Sequence, residues 1–224
     1  MLDGQPPDLA TVDWLLTTTR TVRKRLDLAR PVPEAVLLEC IDLAVHAPTG
    51  GNYQGWRWIV VRDPETKLRI AEIHRRALGA VDTGGTDGDA AGRRMIEGAR
   101  YLAAHLADVP VLVIPCILGR LTPSSPPARA ASLYGSIYPA VWSFQLALRS
   151  RGLCSAFTTV YLAHEDEVRD LLGIPERVTQ AALLPVAYPI GEDFRPAARR
   201  PARDVSFADR WDRQHEEPRS GPPE

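Results

Sequence analysis

The spacing of apolar residues along this chain switches repeatedly between helical and extended periods. Residues 8–17 place Leu9, Val12, Leu15 and Leu16 on one side, which predicts a short helix. Residues 19–27, TRTVRKRLD, lack that spacing and read as a basic extended stretch. Pro33 and Glu34 then open a helix reaching about His46, with Val36, Leu37, Cys40, Ile41, Leu43 and Ala44 on its apolar side and proline near the first turn. Trp58 to Val61 is a run of branched and aromatic residues and predicts a strand. Asp63, before Pro64 and Glu65, is an N-cap for a helix running to about Leu78. A further helix is predicted over about 93–106, and a strand interrupted by prolines over 109–118. Residues 131–151 read as one long helix, apolar nearly all round (Leu133, Ile137, Val141, Trp142, Phe144, Leu146, Leu148). A helix without a polar face is buried on every side, and in a short chain a subunit interface can bury the remaining side.

A strand over 153–161 follows. A helix over 165–172, with His164 at its cap, stops at Gly173, the residue suited to a helix C-terminus. A strand over 178–188 is broken at Pro185. Turn residues build the loop HAPTGGNYQG over 46–55. GAVDTGGTDGDAAG over 79–92 and LTPSSPPARA over 121–130 read as mobile loops. From about Gly191 the chain is rich in Arg, Pro and acidic residues, which predicts an arm that orders on a partner and frays after about Trp211. Helices and strands are interleaved, so the class is α+β or α/β. The whole span, 1–224, reads as one domain with a mobile lid over about 79–101 and a C-terminal arm over about 191–224.

Composition narrows the function. A hydrophobic fraction of 45% and a charged fraction of 25% are those of a soluble globular protein. The net charge of −1 calls for neither nucleic acid nor an anionic membrane. Of the 27 basic residues only Lys24 and Lys67 are lysines, a bias that the many Ala and Pro residues trace to a GC-rich genome. Individual arginines can still bind phosphate through two donors. Cys40, Cys116 and Cys154 are odd in number, form no CxxC and sit in apolar settings, so reduced thiols and a cytoplasmic location are expected. The start, MLDGQPPDLA, reads as no secretory signal, and no apolar run approaches a bilayer span.

Four segments in order carry a family resemblance. Thr19-Arg20-Thr21-Val22-Arg23 looks like an Arg-Arg-Ser-x-Arg motif. Ala47-Pro48-Thr49-Gly50-Gly51-Asn52-Tyr53-Gln54-Gly55-Trp56 is similar to Ala-Pro-Ser-x-x-Asn-x-Gln-Pro-Trp. Arg151-Gly152-Leu153-Cys154 and the strand after it look like a Leu-Gly-Leu-Gly strand. Leu172-Gly173-Ile174-Pro175-Glu176 leads through Ala182–Pro189 to Arg199-Arg200-Pro201. Together they resemble the nitroreductase family. The sequence departs from the family pattern in three places: Thr19 stands where Arg is usual, Gly50 where a second small hydroxyl residue is common, and Gly55 where Pro precedes Trp56.

The resemblance implies an α+β fold, a central mixed sheet wrapped by helices, and an interlocked homodimer. It implies FMN at each end of the interface, with both chains contributing, and NAD(P)H as a transient co-substrate that reduces it. By resemblance, Arg20, Thr21 and Arg199 (or Arg200 beside it) hold the phosphate, whose negative charge needs fixed donors. Arg23 stabilises the charge that reduction places at the N1/O2 pole of the ring. Asn52 and Gln54 match the donors and acceptors of the pyrimidine edge, and lying two apart they face one side if that stretch is extended. Pro48, Thr49 and Gly50 approach the ring or ribityl chain from the partner subunit. The backbone N–H groups of Thr159 and Val160 face N5. Trp56, Trp58, Trp142 and Tyr138 read as core or interface aromatics, while Tyr138, Arg93, Met95 and Tyr101 lie in regions that cover the flavin in relatives.

The five histidines show no metal-ligand spacing, and no Walker motif, nucleophile elbow or GxGxxG after a strand is present. The expected activity is ping-pong hydride transfer to a nitroaromatic, quinone or enone-like acceptor, a small molecule. Three alternatives stand beside it. One is another chemistry of the superfamily: flavin fragmentation, dehalogenation or dehydrogenation. Another is a non-enzymatic flavin-binding or storage protein. The third, suggested by Thr19, is a protein of the same fold that has lost FMN.

Overall fold

The computed structural model describes residues 8–81, 90–191 and 193–215. Helix α1 (Leu9–Thr18) begins where the Asp8 carboxylate accepts from the N–H groups of Ala10 and Thr11. The basic stretch is extended as expected. Val22 N–H donates to Ser155 O at 2.9 Å, and Thr21 and Leu26 form bridges with Ser155 and Pro189. Helix α2 (Glu34–Ala44) follows, then strand β1 (Trp56–Val61) and helix α3 (Pro64–Gly79). Asp63 caps α3 through the Thr66 N–H at 2.8 Å, a stop-and-start signal fully written in the local sequence. Helix α4 (Ala90–His105) and strand β2 (Val111–Leu118) complete the first half.

Helix α5 (Pro127–Gly135) and helix α6 (Tyr138–Ser150) replace the single long helix expected over 131–151. Pro139 lies in the first turn of α6; it has no N–H to bond back to Gly135, so one helix cannot run through. The same α5 converts the end of the expected 121–130 loop into helix, with Pro127 in its first turn. Strand β3 (Cys154–Ser155) is far shorter than expected over 153–161. Past Phe157 the chain turns through a bridge at Thr158 into a 3-10 turn over Val160–His164. Helix α7 (Glu165–Leu172) closes on Gly173 at φ 64°, the left-handed conformation that glycine adopts without a Cβ penalty. His164 precedes α7 but makes no cap bond; its Nδ1 sits 3.0 Å from Glu167 instead. Strands β4 (Val178–Gln180) and β5 (Leu184–Ala187) end the sheet. The break between them is at Ala181–Leu183, where Ala181 bonds Pro115 and Leu183 bonds Thr158, and not at Pro185, which sits inside β5 opposite Leu112.

The sheet order is β1-β2-β5-β3, with β4 also on β2. All named ladders are antiparallel, and parallel bridges at Thr21–Ser155 and Gly119–Val178 make the sheet mixed. Strand β2 is central, so nearly every residue of it is buried, Pro115 included. Two apolar clusters flank the sheet. One packs Ile70, Leu102, Leu106, Leu112, Ile114 and Tyr161 under α3 and α4; the other packs Leu37, Ile137, Phe144, Leu148, Leu153 and Leu184 under α2 and α6. Trp58 packs tilted against Phe144, ring centroids 5.2 Å apart, in the second cluster, whereas Trp142, expected in a core or interface, is 42% exposed. Helix α7 is held to the sheet by an Arg120–Glu165 fork with both contacts at 3.0 Å, and Gln180 donates its side-chain amide to Glu165 O. Cys40, Cys116 and Cys154 are buried free thiols, the first pushed up to about 11 and the other two to about 12 by burial.

The described residues divide into two units between Phe194 and Arg195. The second carries a 3-10 turn over Ala202–Asp204, a Phe207–Trp211 ring contact and an Arg213–Asp209 ion pair.

Candidate active site

A cleft of about 790 Å³ lies between the C-terminal half of α3, the middle of α4 and the turn over 157–160. That volume is within the range of cofactor and small-molecule sites. Of the residues singled out by sequence, Arg23, Thr159 and Val160 line it together, and Met95 joins them. They come from distant parts of the chain, and the sheet makes them meet. The bridge between Thr21 and Ser155 lays the basic stretch along β3, so Arg23 and the turn that follows β3 reach the same cleft.

Arg23 is half-buried, and burial pulls its pKa below the usual guanidinium value. Among the described residues no hydrogen bond or ion pair satisfies it. A partly buried cation without a partner is costly unless a ligand supplies the charge. Gly98 of α4 faces it, and a Cβ there would lie 3.5 Å from Arg23 Cδ.

The 157–160 turn is braced from behind by His74, which sequence reasoning passed over as one of five scattered histidines. Its Nε2 lies 3.3 Å from Thr158 Oγ1, and Thr158 Oγ1 in turn accepts from Val160 N–H at 3.4 Å. Burial, reinforced by the Arg75 charge, pushes His74 down to about 4, so the ring is neutral at pH 7. Its Nδ1 is buried with no partner among the described residues. The signal available in the sequence was its place on the inner face of α3, three residues after buried Ala71 and three before buried Ala77. Val160 N–H is thus already engaged at long range, while Thr159 N–H makes no hydrogen bond among the described residues and is the freer donor toward the cleft.

Arg20 and Thr21 do not line the cleft. Arg20 borders a separate crevice of about 10 Å³ with Thr19, Gln145, Arg149 and Ser155, room for about one water. Thr19, the departure from the family pattern, spends its hydroxyl on Leu15 O at 2.6 Å. Thr21 is exposed, and its backbone serves the bridge to Ser155. Arg199 lies in the second unit, where it bonds Ala198 O.

The 46–55 loop is a third arrangement. A 3-10 turn over Gly50–Asn52 holds Gly51, Asn52 and, beyond it, Gln54 at φ 58°, 53° and 52°. The stretch is therefore not extended as expected; the two amides nevertheless meet, Gln54 Nε2 donating to Asn52 Oδ1 at 2.9 Å. Left-handed backbone, not β-alternation, puts them on one side. Thr49 Oγ1 accepts from Gln54 N–H, and Gly50 N–H donates to Ser136 Oγ at 3.0 Å. A Cβ on Gly50 would come within 2.8 Å of Ser132 Oγ, so glycine here serves the close passage of α5. A Cβ on Gly55 would lie 2.9 Å from the Tyr53 ring, which explains glycine where the family has proline. Pro48 is exposed.

Of the aromatics considered as covers, Tyr138 stacks on Tyr134 at 5.5 Å and touches Phe157, a lining residue. Tyr101 packs tilted against His105 and is not among the lining residues. Among the described residues no group of three His, Cys, Asp or Glu side chains could hold a metal, and no helix is long and apolar enough to cross a membrane.

Comparisons with known proteins agree with this architecture. An NADH dehydrogenase of Thermus thermophilus is 29% identical over 194 residues, 78% of this chain and 85% of that protein. The crystal structure of an oxidised iodotyrosine deiodinase bound to FMN and 3-iodo-L-tyrosine is 26% identical and superposes with a TM-score of 0.64, covering 88% of this chain and 96% of that one. An FMN- and NADPH-dependent nitroreductase from a Sphigopyxis strain has a TM-score of 0.62 at 21% identity, with 88% and 97% covered. The nitroreductase family model matches residues 16–188, from the end of α1 to the end of β5. The chain belongs to the nitroreductase family.

Proposed function

We propose that this protein is an FMN-dependent oxidoreductase that uses NAD(P)H to reduce small organic acceptors. The observation that carries the reading is the meeting, in one 790 Å³ cleft, of an unpartnered half-buried arginine and the open backbone turn at 158–160. The chain's fold relatives include a deiodinase with FMN bound, at 26% identity. When bound, FMN supplies the redox chemistry, accepting a hydride from the nicotinamide and handing electrons to the acceptor.

The protein's own residues bind, orient and set charge. Arg23 offers fixed positive charge to the electron-rich pole of a reduced ring, in a site where partial burial strengthens the interaction. Thr159 N–H would be the donor for the hydride-accepting edge, and His74, through Thr158, braces that turn. Arg20, Thr21 and Arg199 are proposed phosphate donors, which requires the narrow crevice at Arg20 to widen. Asn52 and Gln54, with Pro48, Thr49 and Gly50, are proposed to complete the site of a second copy. The homodimer is supported by large exposed apolar side chains on two packed helices, Leu38 and Leu43 on α2 and Trp142 on α6. Donor and acceptor would use the same cleft in turn.

The test is twofold. Calorimetric titration should give one FMN per chain. Steady-state kinetics should give parallel double-reciprocal lines at several acceptor concentrations; intersecting lines contradict alternate use of one slot. Reductive dehalogenation is a second reading, favoured by the deiodinase relative, and an iodinated phenol in the acceptor panel separates it from nitro reduction.

A further inference from the structure

Seven described cations of the first unit have an acidic partner. Lys24 pairs with Glu97, Arg25 with Asp193, Arg69 with Glu72, Arg76 with Glu167, Arg120 with Glu165, Arg151 with Glu39 and Arg169 with Asp166. The arginines lining the cleft are not among them. Arg23, Arg75 and Arg100 make no hydrogen bond or ion pair among the described residues, and the described lining includes no Asp or Glu. Arg75 and Arg76 are consecutive on α3, yet only Arg76 reaches an acid. Arg23 is half-buried, whereas Arg75 and Arg100 are exposed. The rest of the lining is largely apolar: Leu78, Met95, Ile96, Leu102, Phe157 and Val160.

An apolar cleft whose described lining carries positive charge without an acidic neighbour selects for a ligand that is flat and greasy at one end and anionic at the other. The Arg75 charge is also felt inside, since it helps to hold His74 neutral. Arg23 is assigned above to the cofactor, so Arg75 and Arg100 remain for the substrate. We infer that the acceptor is an aromatic or similarly planar molecule bearing a carboxylate, which Arg75 on α3 and Arg100 on α4 hold while its reducible end lies in the apolar part of the cleft. This inference rests on the oxidoreductase reading and names its substrate class. Guanidinium groups suit the role because each offers a fork of donors to a carboxylate.

The probes are 4-nitrobenzoate and its neutral analogue 4-nitrobenzyl alcohol. The reaction followed is the two-electron reduction of the nitro group to nitroso and water, with hydride from NADPH and a proton from solvent. The expected result is a KM for the acid about tenfold below that for the alcohol, a ratio that falls toward one in the Arg75→Gln/Arg100→Gln double variant and in high salt. A wild-type ratio of one, a ratio that survives in the double variant, or a double variant that changes only the KM for NADPH would each overturn it. Calorimetric titration with unreactive benzoate, against benzyl alcohol, reads the anion site independently of flavin turnover. A protein that binds benzoate through these arginines but is not reduced by NADPH would sink the oxidoreductase reading and keep the anion site. A protein that is reduced but ignores benzoate would do the reverse.

Discussion

The cleft at Arg23 and the loop at Asn52 carry two of the four family-like motifs of this sequence, and the fold treats them in opposite ways. In the cleft, a partly buried cation has no partner among the described residues, a backbone donor at Thr159 is open, and there is space beside both. In the loop, the polar groups satisfy one another: Gln54 bonds Asn52, and Thr49 Oγ1 and Ser136 Oγ take the N–H groups of Gln54 and Gly50. Its strain is in the backbone, with two non-glycine residues at positive φ, and its side chains are exposed. Unmet polar demand marks a site half-built for a ligand. A self-satisfied but strained and exposed loop is shaped to meet another surface. In the proposed homodimer the two regions would divide the cofactor site into a part made by one chain and a part offered by a second.

The sharpest way to break this comparison is Arg23→Ala. A unit charge acting over about 6 Å at an effective dielectric near 20 is worth about 3 kcal/mol, which for two electrons is roughly 60 mV. The potential of bound FMN should fall by about that much in a spectroelectrochemical titration, with little change in melting temperature. An unchanged potential would remove Arg23 from its role.

His74 gives an effect of similar size in a different observable. Its folded pKa is depressed to about 4, against an ordinary 6.5, so the unfolded chain takes up the proton first as pH falls. The stabilisation it confers is present above about pH 6.5 and is lost progressively down to about pH 4, by up to about 3 kcal/mol. Denaturant titrations across that window should show the loss, and His74→Gln should flatten it.

Arg20→Ala is expected to weaken FMN binding by about 2 kcal/mol, roughly thirtyfold in Kd by calorimetry, while the fold persists. The smallest effect belongs to the loop. Gln54→Gly relieves a left-handed residue and should raise stability by up to about 1 kcal/mol, yet flavin retention should weaken. Gains in both stability and retention would show that the loop plays no part in the site.

Which features could be read from sequence follows the range of the interactions that set them. Asp63, Asp8 and Gly173 act within a few residues, so the helix ends they define were legible. The basic stretch and the order of the four motifs also sufficed to expect the family. The break at Ser136–Ile137 was not seen because an apolar run outweighed a single proline at 139. The short β3 was missed because Phe157 to Val160 leave the sheet to line a cleft, a decision made by packing against α3 and Tyr138. His74 was invisible because its importance lies in Thr158, 84 positions away. The meeting of Asn52 and Gln54 was expected for a β-alternation that the loop does not have; their left-handed φ values came from turn chemistry that neither residue signals alone.

The central claim is best tested by an absorption scan of the purified protein, reconstituted with FMN if colourless, before and after anaerobic addition of NAD(P)H. The account predicts the visible bands of an oxidised flavin and their rapid bleaching. Bands that persist would contradict the reductase reading in favour of a flavin-storage protein, and a protein that cannot take up FMN at all would contradict the flavin site itself.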